Sequence, residues 1–188
     1  MPPVTLALAL LASLTCVALT GCVSPVSGAT PTSSAVNPTT EPIFASDEEA
    51  LAAATKAYGD YVAMSDKIAQ EGGVGVERIT PFVTTSYLEI ERAEYDRLRA
   101  DSRRMIGSTS FRPVKIQRLT SQRGMAQIEA YFCVDVSDVR VMSASEADVT
   151  PTGKFEKYPI LLGMTSSKLD PKLLKLDSSE VWMGENYC

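Results

Sequence analysis

Apolar and polar residues follow three different patterns along this chain of 188 residues. The first forty residues carry no charged side chain, and residues 4–19 are almost continuously apolar. Between residues 47 and 104 the apolar positions recur at helical spacing. After Gly107 they alternate with polar positions, as in a strand with one buried face. The pattern therefore predicts an apolar leader, two helices and then a run of strands.

The first helix is predicted over residues 47–70. Ser46 and Glu49 form a capping box at its start, and Gly72-Gly73 ends it. The apolar stripe of this helix consists of Leu51, Ala54, Tyr58, Tyr61, Val62 and Ile68.

The second helix is predicted within residues 85–104, with a capping box formed by Ser86 and Glu89. Its many charges indicate a solvated face rather than a binding patch. Oppositely charged residues three positions apart are the pairs Glu94–Arg97 and Asp101–Arg104.

The strands come after the helices. Val114 and Ile116 alternate with polar residues, and Pro159 is expected to weaken its strand or to place it at a sheet edge. Ala126, Ile128, Ala130, Phe132, Val134 and Val136 share one face of a long strand. Further strands are expected at residues 139–142, 155–165 and 173–183. Helices segregated from strands predict an α+β fold, with N-terminal helices packed on one face of a curved antiparallel sheet.

The leader ends in Leu19-Thr20-Gly21-Cys22, which resembles the lipobox of bacterial lipoprotein precursors. The resemblance implies cleavage between Gly21 and Cys22, diacylglycerol on the Cys22 thiol, and retention on the outer face of the cytoplasmic membrane. The alternatives are a plain membrane anchor and a signal peptide that leaves Cys22 unmodified. The first five residues depart from the usual pattern because they contain no Lys or Arg.

Three segments follow from this interpretation. Residues 1–21 are the lipoprotein signal peptide, and residues 22–46 are the lipidated cysteine and a disordered tether rich in Ser, Thr and Pro. Such a composition cannot bury enough apolar surface to fold. Residues 47–188 are a single α+β domain.

Two cysteines remain in that domain, because Cys16 leaves with the leader and Cys22 takes the lipid. Exported domains usually pair such cysteines, so a Cys133–Cys188 disulfide is expected. Closing this loop would stabilise the fold by about 4 kcal/mol. The alternative is two free thiols, with Cys133 buried in a strand and Cys188 reactive.

Composition excludes several kinds of function. The chain has no histidine, so it has no Ser-His-Asp triad and no histidine metal ligand. A net charge of −5 argues against nucleic-acid binding. No cofactor and no metal is expected.

No spacing singles out a catalytic residue. Asp60 and Asp66 alternate with the apolar stripe of the first helix and are expected to face water. Asp135 and Asp138 flank a turn, where aspartate commonly accepts from backbone amides. Core packing is expected for Trp182. The phenols available as ligand contacts are Tyr58, Tyr61, Tyr95 and Tyr131, and core packing with the hydroxyl at the rim is expected for those on the helix stripes.

The domain also resembles small actinobacterial lipoproteins with a nuclear-transport-factor-2-like, or cystatin-like, cone. The stretches that carry the resemblance are EALAAATKAYGDYVAMSDKIA, CVDVSDVRVMSASEADVTP and SSEVWMGENYC. The resemblance implies a cone fold, with a pocket between sheet and helices that some relatives use for isomerase or dehydratase chemistry.

Three functions follow as hypotheses. The leading one is a non-enzymatic module, anchored to the membrane through Cys22, that binds or scaffolds an envelope protein. The second is an isomerase-like or dehydratase-like enzyme, and the third is a carrier of a small molecule. A buried carboxylate facing a tyrosine in a pocket would favour the enzyme, an apolar filling the scaffold, and an open uncharged cavity the carrier.

Overall fold

The structure is a computed structural model, and it describes residues 42–188. The predicted signal peptide 1–21, its cleavage site Gly21–Cys22 and the lipidation of Cys22 lie outside the described residues. The predicted tether also lies outside them, except for residues 42–46. Within residues 42–188, no helix is both long enough and apolar enough to cross a membrane.

Helix α1 spans Asp47–Gln70, as predicted. The Ser46 hydroxyl accepts a hydrogen bond from the Glu49 amide at 3.2 Å. The Glu49 carboxylate completes the cap by accepting from the Ala45 amide at 2.7 Å. The helix ends at the predicted glycines: the Gly73 amide donates to the Ile68 carbonyl at 2.8 Å, with φ of +83° at Gly73.

Helix α2 spans Thr85–Ala100 and follows a short 3₁₀ helix at Val76–Ile79. Its N-cap is Thr84, whose hydroxyl accepts from the Tyr87 amide at 3.3 Å. The predicted capping box at Ser86 is therefore wrong. Thr84 has the extended backbone that a cap needs (φ −73°, ψ 164°), whereas Ser86 is already helical.

The second helix is also shorter than predicted, because the chain turns away at Asp101 and enters a strand at Arg104. The Glu94–Arg97 ion pair forms. The Asp101–Arg104 pair does not, since Asp101 pairs with Arg103 at 3.3 Å and Arg104 pairs with Glu146.

Within the described residues, six strands make two antiparallel sheets. They are β1 (Arg104–Ile106), β2 (Ser110–Gln122), β3 (Met125–Asp135), β4 (Arg140–Met142), β5 (Lys157–Thr165) and β6 (Lys175–Val181). The main sheet has the order β2-β3-β5-β6, and β1 pairs with β4 separately. The predicted class, helices followed by an antiparallel sheet, is thus confirmed.

One face of the main sheet carries the core. The β3 residues predicted to share that face are buried from Ala126 to Val134. In β2, irregular register between Pro113 and Lys115 and between Ile116 and Arg118 changes which residues face inward. Ile116 packs on the core, while Val114 lies in a cleft on the other face.

The space between α1 and the sheet is filled by aromatic rings. Tyr58 of α1 lies 4.7 Å from Phe111 of β2 and 5.3 Å from Phe132 of β3, measured between ring centroids. Phe132 is fully buried. These rings occupy the position at which a pocket between sheet and helices was predicted.

Pro159 does not place its strand at an edge, because β5 lies between β3 and β6. Pro159 stands before the first β5–β6 pair, Ile160–Val181. Its carbonyl accepts from the Trp182 amide at 2.9 Å. Because the N and C=O of one strand residue face the same side, the Pro159 nitrogen also faces the segment after β6 and not β3. A proline at the start of a strand removes no donor from the ladder with β3.

Candidate binding surface

The two acidic residues considered on α1 have structural partners. Asp60 is exposed and pairs with Lys56 at 2.6 Å, as expected for a residue facing water. Asp66 is half-buried, and its carboxylate accepts from the Thr109 amide at 2.8 Å and from the Thr109 hydroxyl at 2.9 Å. The expectation that Asp66 faces water is therefore wrong, since it fastens α1 to the segment that enters β2.

The two acidic residues near the end of β3 differ from each other. Asp135 accepts from the Ser137 amide at 3.0 Å and pairs with Lys157 at 2.9 Å. Hydrogen bonds from Ser137, together with Lys157, lower the pKa of Asp135 to about 2. Asp138 is exposed. The expected bond to a backbone amide thus forms at Asp135, which remains ionised at neutral pH.

A buried carboxylate lies between the two helices. Glu91 of α2 is only 7% exposed and accepts from the Tyr61 hydroxyl of α1 at 2.8 Å. Desolvation raises the pKa of Glu91 and outweighs the hydrogen bond from Tyr61. Tyr95 is buried as expected, and its hydroxyl lies 2.8 Å from that of Ser65.

Glu91 was not singled out in the sequence, although a signal was present. It lies four residues after Tyr87 and four before Tyr95, on the buried stripe of α2. The Glu91–Tyr61 pair has the carboxylate and phenol that acid–base catalysis requires. Neither residue is among those that line five of the clefts formed by residues 42–188, and the pair is a hydrogen-bonded contact between the two helices.

The other face of the main sheet is partly covered by the segment that follows β6. A disulfide joins Cys188 to Cys133 on β3, with the two Cα atoms 5.5 Å apart. Arg112 of β2 donates to the Tyr187 carbonyl at 2.9 Å. This segment explains why Tyr131 and Cys133 are buried even though they lie on the face opposite the core.

Three aromatic rings meet on this outer face. Trp182 lies edge-on to Tyr131 at 5.2 Å, and Tyr187 lies edge-on to the same ring at 5.7 Å. Lys115 places its ammonium 5.7 Å from the centre of the Tyr131 ring. Trp182 is 37% exposed, so the expectation that it packs in the core is wrong.

We call the space beside these rings the aromatic cleft. It has a volume of about 350 Å³ and is lined by Val114, Lys115, Tyr131, Trp182, Glu185 and Tyr187. Tyr131 is fixed by its place on β3, and Tyr187 is held by the disulfide of the adjacent Cys188. The cleft therefore presents a preformed aromatic surface with one cation and one anion at its margin.

A polar groove of about 470 Å³ continues along the same sheet face. Its polar lining residues include Arg118, Thr120, Gln122, Gln127, Glu129 and Ser178. Arg118 and Glu129 pair across it at 3.4 Å. Residues 42–188 contain no group of His, Cys, Asp and Glu side chains suited to hold a metal ion.

No protein-family model matches this sequence, and no curated protein matches it either. The solved structures to which this chain is similar include the following two. One is the intermembrane space region of the chloroplast protein ARC6, with 11% identity over 70% of this chain and 95% of that chain, and a TM-score of 0.48. The other is CagV, a VirB8 homolog of the T4SS from Helicobacter pylori strain 26695, with 8% identity over 56% and 77% and a TM-score of 0.29.

Proposed function

We propose that this protein is a non-enzymatic binding or scaffolding module of the cell envelope, held on the outer face of the membrane by lipid on Cys22. The aromatic cleft is the observation that carries the proposal. It is a preformed surface on the solvent side of the sheet, whereas aromatic rings fill the space between α1 and the sheet.

The chemistry of the cleft suits a protein partner. Tryptophan and tyrosine are enriched among residues that contribute most to protein interfaces, because they offer large contact area at little entropic cost. Beside the exposed Trp182, the neighbouring Met183 is 89% exposed and extends the apolar area. Lys115 and Glu185 at the margin would fix the orientation of a partner segment.

Two features support an extracytoplasmic location. Lipobox-like residues at Leu19–Cys22 follow an apolar run. The Cys133–Cys188 disulfide is typical of proteins from oxidising compartments. Lipid attachment at Cys22 would make residence on the membrane permanent, because two or more acyl chains together resist release.

We also propose the nuclear-transport-factor-2-like cone as the finer description of the fold. Both helices lie on one face of the sheet, and register shifts in β2 and between Gly163 and Met164 of β5 supply places where the sheet can bend.

The test is site-specific photo-crosslinking in intact cells, with the crosslinker at Met183. We expect one defined protein adduct in the membrane fraction, lost when Trp182→Ala removes the cleft's exposed ring. A crosslinker at Asp60, an exposed α1 residue on the opposite side of the sheet, is the matched control and should give no such adduct. Equal adducts at both positions, or an adduct unaffected by Trp182→Ala, would contradict the proposal.

The alternative function is isomerase-like or dehydratase-like chemistry, or small-molecule binding, in a cone pocket. The Glu91–Tyr61 contact is the observation that favours it, because a buried carboxyl group with a raised pKa beside a phenol is the pairing that proton transfer uses. The two functions separate in cells. If Glu91→Gln abolished the protein's function in cells and Trp182→Ala did not, the result would favour the enzyme and contradict the binding module.

A further inference from the structure

The loop between β5 and β6 exposes two leucine side chains to solvent. Leu169 is 99% exposed and Leu173 is 56% exposed. Lys168 and Lys172 flank Leu169 in the sequence and are also exposed. An isolated exposed leucine needs no explanation. Leu169, however, is fully exposed at a loop tip, one position after Lys168 and three before Lys172, and interfacial segments combine apolar residues with lysines in this way.

The tip of this loop is held in place. Asp170 accepts from the Leu173 amide at 3.2 Å, and its own amide donates to the Ser167 hydroxyl at 3.1 Å. Leu174, directly after the loop, is buried in the core. The loop therefore projects Leu169 from a turn that is fixed at both ends.

This loop lies beside the residues that precede α1. Lys172 pairs with Glu49 at 2.6 Å and places its ammonium 5.9 Å from the centre of the Phe44 ring. Phe44 is two residues after Pro42, where the described structure begins. Only 19 residues lie between Cys22 and Pro42, and the predicted tether would span about 25 Å over that length.

We propose that the β5–β6 loop docks on the bilayer and inserts Leu169 among the lipid headgroups, so that the anchored domain has one preferred orientation. This inference rests on the proposed lipid anchor at Cys22. The anchor keeps the loop within reach of the membrane, so even a weak apolar contact is populated at the resulting effective concentration. The aromatic cleft is formed partly by the segment at the opposite end of the β5–β6 hairpin and would face away from the lipid.

Acidic residues near the loop offset its lysines and so limit its electrostatic attraction to lipid. Lys172 pairs with Glu49 in the acidic first turn of α1, which also contains Asp47 and Glu48, and Asp170 lies in the loop itself. Docking is therefore driven by the apolar tip, and the lysine ammonium groups donate to nearby phosphate oxygens. It should occur on zwitterionic as well as anionic bilayers.

The single tryptophan of the chain makes the test direct. A Trp182→Phe background removes the native fluorophore, and Leu169→Trp places a new one at the loop tip. The full lipidated protein is reconstituted into phosphatidylcholine vesicles containing brominated acyl chains, which quench tryptophan by contact. Met183→Trp in the same background is the matched control, because Met183 is 89% exposed and follows the other end of the hairpin.

We expect several-fold stronger quenching and a blue-shifted emission for the tryptophan at position 169 than for the one at position 183. Equal quenching at the two positions, or none at 169 in protein that floats with the vesicles, would overturn the docking inference and leave the anchor intact. Protein that fails to float, and behaves like a Cys22→Ala variant, would overturn the anchor and the docking together.

Discussion

At the residue scale, the most consequential side chain is a glutamate buried where the helices meet. Glu91 is the buried charged residue among the described residues whose only protein partner is neutral, the Tyr61 hydroxyl. Burying a carboxylate without a cation favours its protonated form. A raised pKa in the folded state means that ionisation of Glu91 opposes folding.

The sign of the pH dependence follows from this shift. Since the pKa of Glu91 is raised on folding, its stabilising contribution is complete below the ordinary glutamate pKa and is lost as pH rises through the folded-state pKa. We therefore expect Glu91→Gln to match the wild type near pH 4 and to have the higher melting temperature at pH 7 to 8. Thermal denaturation of both proteins across this range measures the difference. Other acids with a lowered pKa, such as Asp135, contribute equally to both proteins and cancel.

Tyr61→Phe provides the complementary measurement. It leaves the Glu91 carboxylate buried without its donor, which should cost about 1–3 kcal/mol of unfolding free energy at neutral pH. The same change in a Glu91→Gln background should cost less, because an unpaired amide oxygen is less costly than an unpaired carboxylate. An identical loss in both backgrounds would show that the phenol does not act through Glu91.

At the scale of elements, the N-terminus of α2 has two nearby hydroxyl residues, Thr84 and Ser86, of which Thr84 is the cap. Thr84→Ala should lower the unfolding free energy by about 1 kcal/mol, because it removes the N-cap acceptor of the Tyr87 amide. Ser86→Ala is the matched control and should change stability by less than about 0.5 kcal/mol. Chemical denaturation of the two variants measures both effects, and a larger loss at Ser86 would contradict the observed cap.

The elements themselves were predictable where their signals were local. The limits of α1 depend on Ser46, Glu49 and the glycines after the helix, and all lie within a few residues of its ends. The inward face of β3 follows from strict alternation. The inward residues of β2 could not be predicted, because irregular pairing with β3 moves Val114 away from the core, and such irregularity depends on a partner strand.

The aromatic cleft was beyond prediction for the same physical reason. Tyr131 and Trp182 are some fifty positions apart, and only the order β3-β5-β6 and the disulfide bring their rings to 5.2 Å. Sequence spacing carries no information on contacts formed across three strands. Glu91, by contrast, lies on a recognisable helix stripe, so its burial could have been predicted from its neighbours Tyr87 and Tyr95.

At the scale of the whole molecule, the disulfide ties the segment after β6 to a central strand. It closes a loop of the chain over a sequence separation of 55 residues, which includes β4, β5 and β6. Restricting the unfolded chain in this way is worth about 4 kcal/mol on the chain-entropy model. The same bond holds Tyr187 beside Tyr131, so it supports the aromatic cleft as well as the fold.

Removing the disulfide should therefore have two separable effects. We expect Cys133→Ala with Cys188→Ala to lower the unfolding free energy by about 4 kcal/mol in chemical denaturation. Trp182 fluorescence should shift to the red, because release of the segment moves the Trp182 ring away from Tyr131 and into water. Far-ultraviolet circular dichroism should stay unchanged at low denaturant, since neither Cys133 nor Cys188 belongs to the core cluster that α1, α2 and the sheet form. Cys188→Ala alone also breaks the disulfide but leaves the buried Cys133 side chain in place, so it controls for the cavity. Wild-type stability and emission in this variant would show that the bond has no structural role.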